Sequence, residues 1–394
     1  MSERSGDFSR EPGLEVSIVM PCLNEAATIA QCVRSALDSL AACGVSGEVV
    51  VADNGSSDGS QQLATDAGAR LVHVEEKGYG NALAGGIRAS AGRYIVMGDA
   101  DLSYDFSHAP RFIEQLRRGN DLVMGNRFTG GVARGAMPWK NRYIGNPILS
   151  GIGRILFGSE IGDFHCGLRA FSREAFERMN LTTAGMEFAS EMVIKATLLH
   201  MRIAEVATTL SPDGRGRPPH LRPWRDGWRH LRFMLLYSPN WLFLYPGMLL
   251  TLAGAAMMLW LLPGPRTLIG FGLDVHTLVF SGAAMIIGIQ AIAFWALSKT
   301  FAQRANLLPP GDTSGQLPGH IPFEAGATAG LLIAFVGLAL SIGAVVYWGE
   351  RSFGEMNPVV LLRWVIPGAT LLAIGLQLVL FSFFLGILRL DLKR

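Results

Sequence analysis

Charge is scarce in this chain. Only 17% of its 394 residues are Asp, Glu, Lys or Arg, where soluble globular domains carry about 25%, and that deficit points to lipid. Cysteine is sparser still: Cys22, Cys32, Cys43 and Cys166 form no Cys-x-x-Cys pair. Neither a disulfide framework nor a zinc site is supported, and a reducing compartment is expected. Net charge is nearly absent, 34 Lys plus Arg against 32 Asp plus Glu giving +2. A global attraction to nucleic acid is thereby excluded, and any basic site must be local. The first ten residues lack an apolar core, so they are no secretory signal peptide, and the first half is expected to stay in the cytosol.

What is there falls into two regimes. Residues 1–240 alternate short apolar and polar runs, whereas residues 241–388 are dominated by long apolar stretches. In the first regime Glu15 to Met20 is a β-branched run stopping at Pro21. A helical pattern follows, with Ile29, Cys32, Val33, Ala36, Leu37 and Leu40 on one face. Glu48 to Ala52 repeats the run and ends at Asp53-Asn54-Gly55; Arg70 to Val74 is a third strand, and Tyr94 to Gly98 a fourth that ends at Asp99. Strands alternating with helices predict an α/β fold with a mostly parallel sheet, whose ligands bind off the carboxyl ends of the strands.

Three of those ends carry distinctive residues: Pro21 to Glu25, Asp53, and Asp99-Ala100-Asp101. Side chains alternate along an extended segment, so Asp99 and Asp101 point the same way and can share a cation. One or two carboxylates plus substrate phosphates is the usual arrangement for Mg²⁺, and Mn²⁺ is the alternative metal. Asp53 suits a different task, accepting hydrogen bonds from the N–H edge of uracil or guanine. Asn54 to Asp58 read as turn and helix cap. Lys77-Gly-Tyr-Gly reads equally as a phosphate loop or an ordinary exposed loop.

Taken in order, Pro21-Cys-Leu-Asn24-Glu25, Val51-Ala-Asp-Asn-Gly-Ser-Ser-Asp58, Lys77-Gly-Tyr-Gly-Asn-Ala-Leu83, Gly98-Asp-Ala-Asp101, Gly125-Asn-Arg127 and Asp163-Phe-His-Cys-Gly-Leu-Arg-Ala-Phe171 resemble the motif series of family 2 inverting glycosyltransferases. The resemblance is to the polyprenyl-phosphate branch, the dolichol-phosphate mannose and glucose synthases and their undecaprenyl-phosphate relatives, and covers about residues 15–240. It implies a glycosyltransferase fold of the A type. It also implies that Pro21, Asn24, Glu25, Asp53, Lys77 and Asp99 bind the nucleotide sugar, that Asp99 and Asp101 stand at metal and diphosphate, and that Arg127 lies near the acceptor. Ser103 replaces the Gln common in mannose synthases, and the basic loop reads Gly214-Arg-Gly-Arg-Pro-Pro-His-Leu-Arg222 in place of a Ser-Lys ending.

A sugar hydroxyl acceptor needs a general base, whereas a lipid phosphate is already anionic and needs positioning and charge neutralisation. Arginine suits that job through its planar fork. The candidates for the lipid phosphate are Arg127, Arg142, Arg169, Arg215 and Arg217. For Arg127 and Arg142 an internal ion pair is the competing explanation; for Arg215 and Arg217 it is anchoring at anionic headgroups; for Arg225, Arg229 and Arg232, beside Trp224 and Trp228, anchoring is the reading. Glu187 reads as structural, and Glu191 stays open between helix cap and site carboxylate.

In the second regime four stretches, about 241–262, 277–297, 325–348 and 364–388, approach the ~20 residues a bilayer demands. Lys299, Arg304, Arg389, Lys393 and Arg394 share a side with the pre-membrane arginines, while Arg266, Arg351 and Arg363 lie on the other, which favours a cytosolic enzyme domain at a bacterial inner membrane. Gln290, Gln377 and Gly326-xxx-Gly330 read as helix packing. The expected division is a flexible N-terminus (1–14), a catalytic domain (15–210), a basic juxtamembrane segment (211–240) and a membrane domain (241–394). The partners expected are a nucleotide sugar of UDP-glucose or GDP-mannose type, undecaprenyl or dolichyl phosphate, and membrane lipids. Nucleic acid is not among them, and a homo-oligomer is left open. A processive polysaccharide synthase is disfavoured because the only Arg-Trp, Arg363-Trp364, has Val360 where those enzymes carry Gln. A non-catalytic scaffold or lipid transporter is disfavoured by the intact Asp53, Asp99 and Asp101.

Overall fold

In the computed structural model the described residues are 13–215, 223–305, 322–354 and 357–390, so Arg217, Arg222, Lys393 and Arg394 lie outside them. The chain forms two compact units, Met1–Met234 and Leu235–Arg394.

The first unit is built on seven strands, β1 (Val16–Cys22), β2 (Gly47–Asp53), β3 (Arg70–His73), β4 (Tyr94–Met97), β5 (Leu122–Asn126), β6 (Arg169–Ser172) and β7 (Ile203–Ala207). Their order is β3-β2-β1-β4-β6-β5-β7, parallel throughout except for β6, which runs against both neighbours. The helices are α1 (Ile29–Ala42), α2 (Ser60–Asp66), α3 (Tyr79–Ala89), α4 (Ala109–Arg117), the single turn α5 (Arg127–Gly130), α6 (Asn146–Phe157), α7 (Arg173–Met179), α8 (Phe188–Leu198) and α9 (Pro223–Leu236).

Both faces of the central strand are covered, which is why β1 reads as a continuous apolar run. Val16, Ile18 and Met20 join Ile29, Val33 and Ala36 of α1 in one core. Val19 turns to the other core with Leu83 and Ile87 of α3. Each such side chain is fully shielded, a burial that stabilises by about 1.5–3 kcal/mol apiece. Ser17 is the buried exception, satisfied by donating to Glu48 Oε1 at 2.8 Å and accepting from the Gly92 amide at 2.8 Å.

The strand ends differ from expectation by one or two residues, most clearly in β1. The first strand runs through Pro21 to Cys22, because β2 continues to pair with it as far as Cys22 opposite Asp53. Proline is tolerated there because β4 has already ended, its last residue Met97 standing opposite Val19. The antiparallel β6 places Arg169 opposite Met97, two residues short of Asp99.

Among the described residues of the second unit four helices are long and apolar enough to cross a membrane, spanning residues 240–261, 275–304, 323–349 and 358–389. They contain α10 (Tyr245–Leu261), α11 (Val275–Arg304), α12 (Phe323–Gly349) and α13 (Pro358–Arg389), and a hairpin of β8 (Arg266–Leu268) and β9 (Phe271–Leu273) precedes α11. Small residues allow α12 and α13 to touch through their backbones: a Cβ on Gly375 would lie 2.3 Å from the Ala334 amide nitrogen, and one on Gly330 would lie 2.8 Å from the Gly375 carbonyl oxygen. The Gln377 amide donates to Gln290 Oε1 at 2.8 Å, tying α13 to α11. Arg363 forms an ion pair with Asp274.

Candidate active site

The loops after β1 and β2 are laced together. Asn24 adopts φ +59°, accepts from the Ser57 amide at 2.8 Å, and its own amide donates to Ser56 Oγ at 2.9 Å. The Glu25 amide donates to Ser60 Oγ at 2.8 Å, and the Ala26 amide to Asp58 Oδ2 at 3.0 Å. Asp53 is wholly buried. Its carboxylate accepts from the amides of Gly55 and Ser56, both at 3.1 Å, and from Gln61 Nε2 at 2.9 Å. Burial pushes its pKa up, but the hydrogen bonds from Gln61, Ser56 and Gly55 outweigh that and hold it below the ordinary aspartate value.

Lys77 donates to the Asn54 carbonyl at 2.6 Å, and the Gly78 amide to Asn54 Oδ1 at 2.8 Å. The glycines of that loop have a structural reason: Gly78 sits at φ +136°, and a Cβ there would lie 2.2 Å from the Ala184 carbonyl oxygen. Between them stands Tyr79, whose hydroxyl donates to Asp99 Oδ1 at 3.0 Å. Tyr79 carries no signal of its own in the sequence, although it lies inside the Lys77-Gly-Tyr-Gly motif.

Asp99 and Asp101 follow β4. Asp101 Oδ1 accepts from the Ser103 amide at 2.9 Å, and the intervening Leu102 is held at φ +66°, a region costly for a branched side chain. Burial first, then the charge of Asp101, pushes the pKa of Asp99 up to about 6, against the lowering pull of the Tyr79 hydrogen bond, Arg215 and Arg169. Asp99 and Tyr104 pack directly on Gly167, where a Cβ would lie 2.8 Å from Asp99 Oδ2 and 2.9 Å from the Tyr104 ring. Two mutually repelling carboxylates, Asp99 and Asp101, have the donor chemistry that suits a divalent cation. No group of three or more His, Cys, Asp or Glu side chains among the described residues could hold a metal, so substrate oxygens would complete the shell.

The arginines expected at the lipid phosphate separate into different environments. Arg127 opens α5, which Asn126 caps by accepting from the amides of Phe128 and Thr129. Its guanidinium forks onto buried Asp163, Nε to Oδ2 at 2.7 Å and Nη2 to Oδ1 at 2.8 Å. Arg169 is fully buried, and its donors are engaged by the carbonyls of Cys166 at 2.7 Å, Phe164 at 3.0 Å and Ala189. It therefore has no fork to offer a phosphate and contributes only its charge. Arg142 donates to the Val132 carbonyl at 3.3 Å and lies over the Tyr143 ring. Arg215 reaches the Asp99–Asp101 segment instead: its Nη2 lies 2.6 Å from Asp101 Oδ2, and its Nε lies 3.2 Å from Glu25 Oε2, an ion-pair contact off the hydrogen-bonding angle.

Other carboxylates are structural. Glu187 pairs with Arg229 at 2.8 Å, while Glu191 pairs with Lys195 at 2.8 Å and caps the amides of Thr182 and Thr183. The ring of His165 stands edge-on to His230 at 4.8 Å, and its two nitrogens are buried without a hydrogen-bond partner among the described residues. Burial, then His230, Arg127 and Arg169, lowers its pKa well below the ordinary value and keeps it neutral.

Comparison with known proteins matches this architecture. Residues 17–179 match the family described as glycosyl transferase family 2, and residues 296–389 match the glycosyltransferase family 2 C-terminal transmembrane region. The chain is 35% identical to the low-salt glycan biosynthesis hexosyltransferase Agl6 of Haloferax volcanii, over 97% of this chain and 90% of that one. It is 32% identical to the dolichyl-phosphate hexose transferase of the same organism, over 40% of this chain and 68% of that one. Among solved structures, glucosyl-3-phosphoglycerate synthase from Mycobacterium tuberculosis, crystallised with Mn²⁺, UDP and glucosyl-3-phosphoglycerate, aligns with a TM-score of 0.44 at 24% identity, over 57% of this chain and 78% of that one. The α/β unit is of the glycosyltransferase A type, and the chain belongs to glycosyltransferase family 2, joining a catalytic domain to a transmembrane C-terminal region.

Proposed function

We propose that the protein transfers a hexose, with inversion, from a nucleotide sugar of UDP-glucose or GDP-mannose type to polyprenyl phosphate at the cytosolic face of the membrane. The observation that carries the reading is the charge pattern around Asp99 and Asp101. The neighbouring carboxylates Glu25 and Asp163 face guanidiniums, and burial makes the neutral imidazole of His165 a weak proton acceptor. Among the described residues the site thus suits an anionic acceptor better than a hydroxyl that needs a strong general base. Arg169 has no carboxylate partner among the described residues, so its buried charge favours an anion.

Asp99 and Asp101 would hold Mg²⁺ or Mn²⁺, which supplies charge neutralisation for the departing diphosphate. The hydroxyl of Tyr79 fixes one oxygen of Asp99, and the Ser103 amide fixes one of Asp101. The laced loops carrying Asn24, Glu25 and Asp53 form the donor cradle. The base contact assigned to Asp53 falls to Oδ1, which accepts fewer protein hydrogen bonds than Oδ2. Arg127 presents Nη1, which has no partner among the described residues, to the acceptor phosphate, while Asp163 holds the rest of its fork. Positioning of two anions for in-line attack, without a covalent intermediate, is what these residues supply.

Work at a lipid surface is supported by residues 122–159, which include Arg127, Arg134, Lys140, Arg142 and Arg154 but no Asp or Glu. Trp139, Tyr143, Ile144, Ile148 and Ile155 are exposed in that stretch. Aromatic and aliphatic side chains among cations suit an anionic headgroup layer. The test is to give membranes containing the protein labelled UDP-glucose or GDP-mannose with divalent cation. The expected result is labelled sugar extracted into organic solvent as a phosphate-linked lipid, and absence of such a lipid with every activated hexose contradicts the proposal.

A further inference from the structure

Arg215 is placed by construction. The segment that carries it runs along the metal motif, the Ser211 amide donating to the Ser103 carbonyl and the Gly214 amide to the Asp101 carbonyl, both at 2.9 Å. Gly214 permits that approach, since a Cβ there would lie 2.9 Å from Leu102 Cδ1 and 3.0 Å from Thr28 Cγ2. The guanidinium is thereby delivered between Asp101 and Glu25, with side-chain exposures of only 16%, 10% and 8% for Arg215, Asp101 and Glu25. Asp101 then has Oδ1 engaged by Ser103 and Oδ2 by Arg215. A cation shared with Asp99 must compete with the guanidinium for Asp101.

We propose that Arg215 is the resident counter-ion of Asp101 in the donor-free enzyme, surrendering that carboxylate to the divalent cation when the nucleotide arrives. Arg215 touches both Asp101 and Glu25, so Oδ2 of Asp101 is already taken before a metal ion arrives. A metal ion alone must displace an ion pair to bind. A metal ion arriving with a diphosphate brings the released guanidinium a new anionic partner, so the displacement is offset. Arg215 is on this account a positioning residue that makes metal binding depend on the donor nucleotide. The inference rests on the assignment of Asp99 and Asp101 to a divalent cation.

The test measures Mn²⁺ binding without turnover, by electron paramagnetic resonance of the free ion, on the full chain in detergent with and without UDP or GDP. Arg215→Met should bind Mn²⁺ alone about tenfold more tightly than wild type, the equivalent of ~1.4 kcal/mol. The enhancement given by nucleotide should shrink correspondingly, and Arg215→Lys should fall between the two. Circular dichroism establishes that each variant is folded; should the Met variant not fold, the Lys variant carries the comparison. Unchanged or weaker binding of Mn²⁺ alone by the variants overturns the counter-ion role while leaving the metal site intact. Failure of wild type and variants alike to bind Mn²⁺, with or without nucleotide, overturns the metal assignment itself.

Discussion

Arg127 and Arg215 both close on an aspartate, and the two contacts mean different things. Arg127 meets Asp163 through a bidentate fork in the interior, with side-chain exposures of 8% and 0%. Asp163 is further fixed through its own amide, which donates to Glu205 Oε1 at 3.2 Å, and it accepts from the amide of Arg127 at 3.1 Å. Nothing can leave that pair without stranding a buried charge. Arg215 makes one short contact with Asp101 at a more accessible site, and its partner is one of the two carboxylates proposed to hold the cation. The same ion pair is scaffold in one place and exchangeable in the other, and the difference lies in burial and in what else the aspartate can bind.

Breaking the scaffold pair should give the largest effect. Asp163→Asn leaves Arg127 buried and uncompensated, and is expected to cost about 3–5 kcal/mol of stability, read as a lowered thermal midpoint of the full chain. Asp101→Asn should separate function from stability: transfer is expected to fall by about 100-fold or more, with an unfolding midpoint close to wild type. A stability loss matching that of Asp163→Asn would erase the distinction between the pairs.

Asp99 sharpens the contrast from the side of pH. Its folded pKa of about 6 exceeds the ordinary 3.8, so the ionised form is disfavoured by folding. Its contribution to stability is fully present below the unfolded value and is lost as pH rises through the folded one. Asp99→Asn should therefore raise the thermal midpoint by about a few degrees at pH 8, a gain that disappears as pH falls towards 4, while transfer is lost. An equal gain at both values would mean that burial of the carboxylate is not the cause. The smallest expected effect is that of Asn126→Ala, which removes the cap that seats Arg127 and should cost about 1 kcal/mol, measured by denaturant unfolding.

How far the sequence reveals this depends on whether a signal is local. Three of the first four strands are legible as apolar runs cut off by Pro, Asp or Gly, and the ends of β2 and β4 carry Asp53 and Asp99. Strands β5, β6 and β7 are not: none is followed by such a stop, and β6 begins with a buried arginine. Nothing in four residues encodes an antiparallel insertion. Arg169 looked like a phosphate fork because sequence shows its guanidinium and hides the three carbonyls that bind it. Arg215 was read towards the acceptor because its partner Asp101 is 114 residues away. Hydropathy located the membrane-crossing helices but not their ends: α11 continues to Arg304 and α13 begins at Pro358, since a helix outlasts its apolar window. The absence of acidic side chains across 122–159 was visible in the sequence. It acquires meaning only beside the exposed Trp139, Tyr143, Ile148 and Ile155.

The most direct measurement offers the purified chain an activated hexose, divalent cation and either polyprenyl phosphate or the corresponding polyprenyl alcohol, with the lipid products analysed by mass spectrometry. The proposed function predicts a polyprenyl-phosphohexose of inverted anomeric configuration from the phosphate and none from the alcohol. Equal glycosylation of the alcohol, or no glycolipid from the phosphate with any donor, contradicts the account.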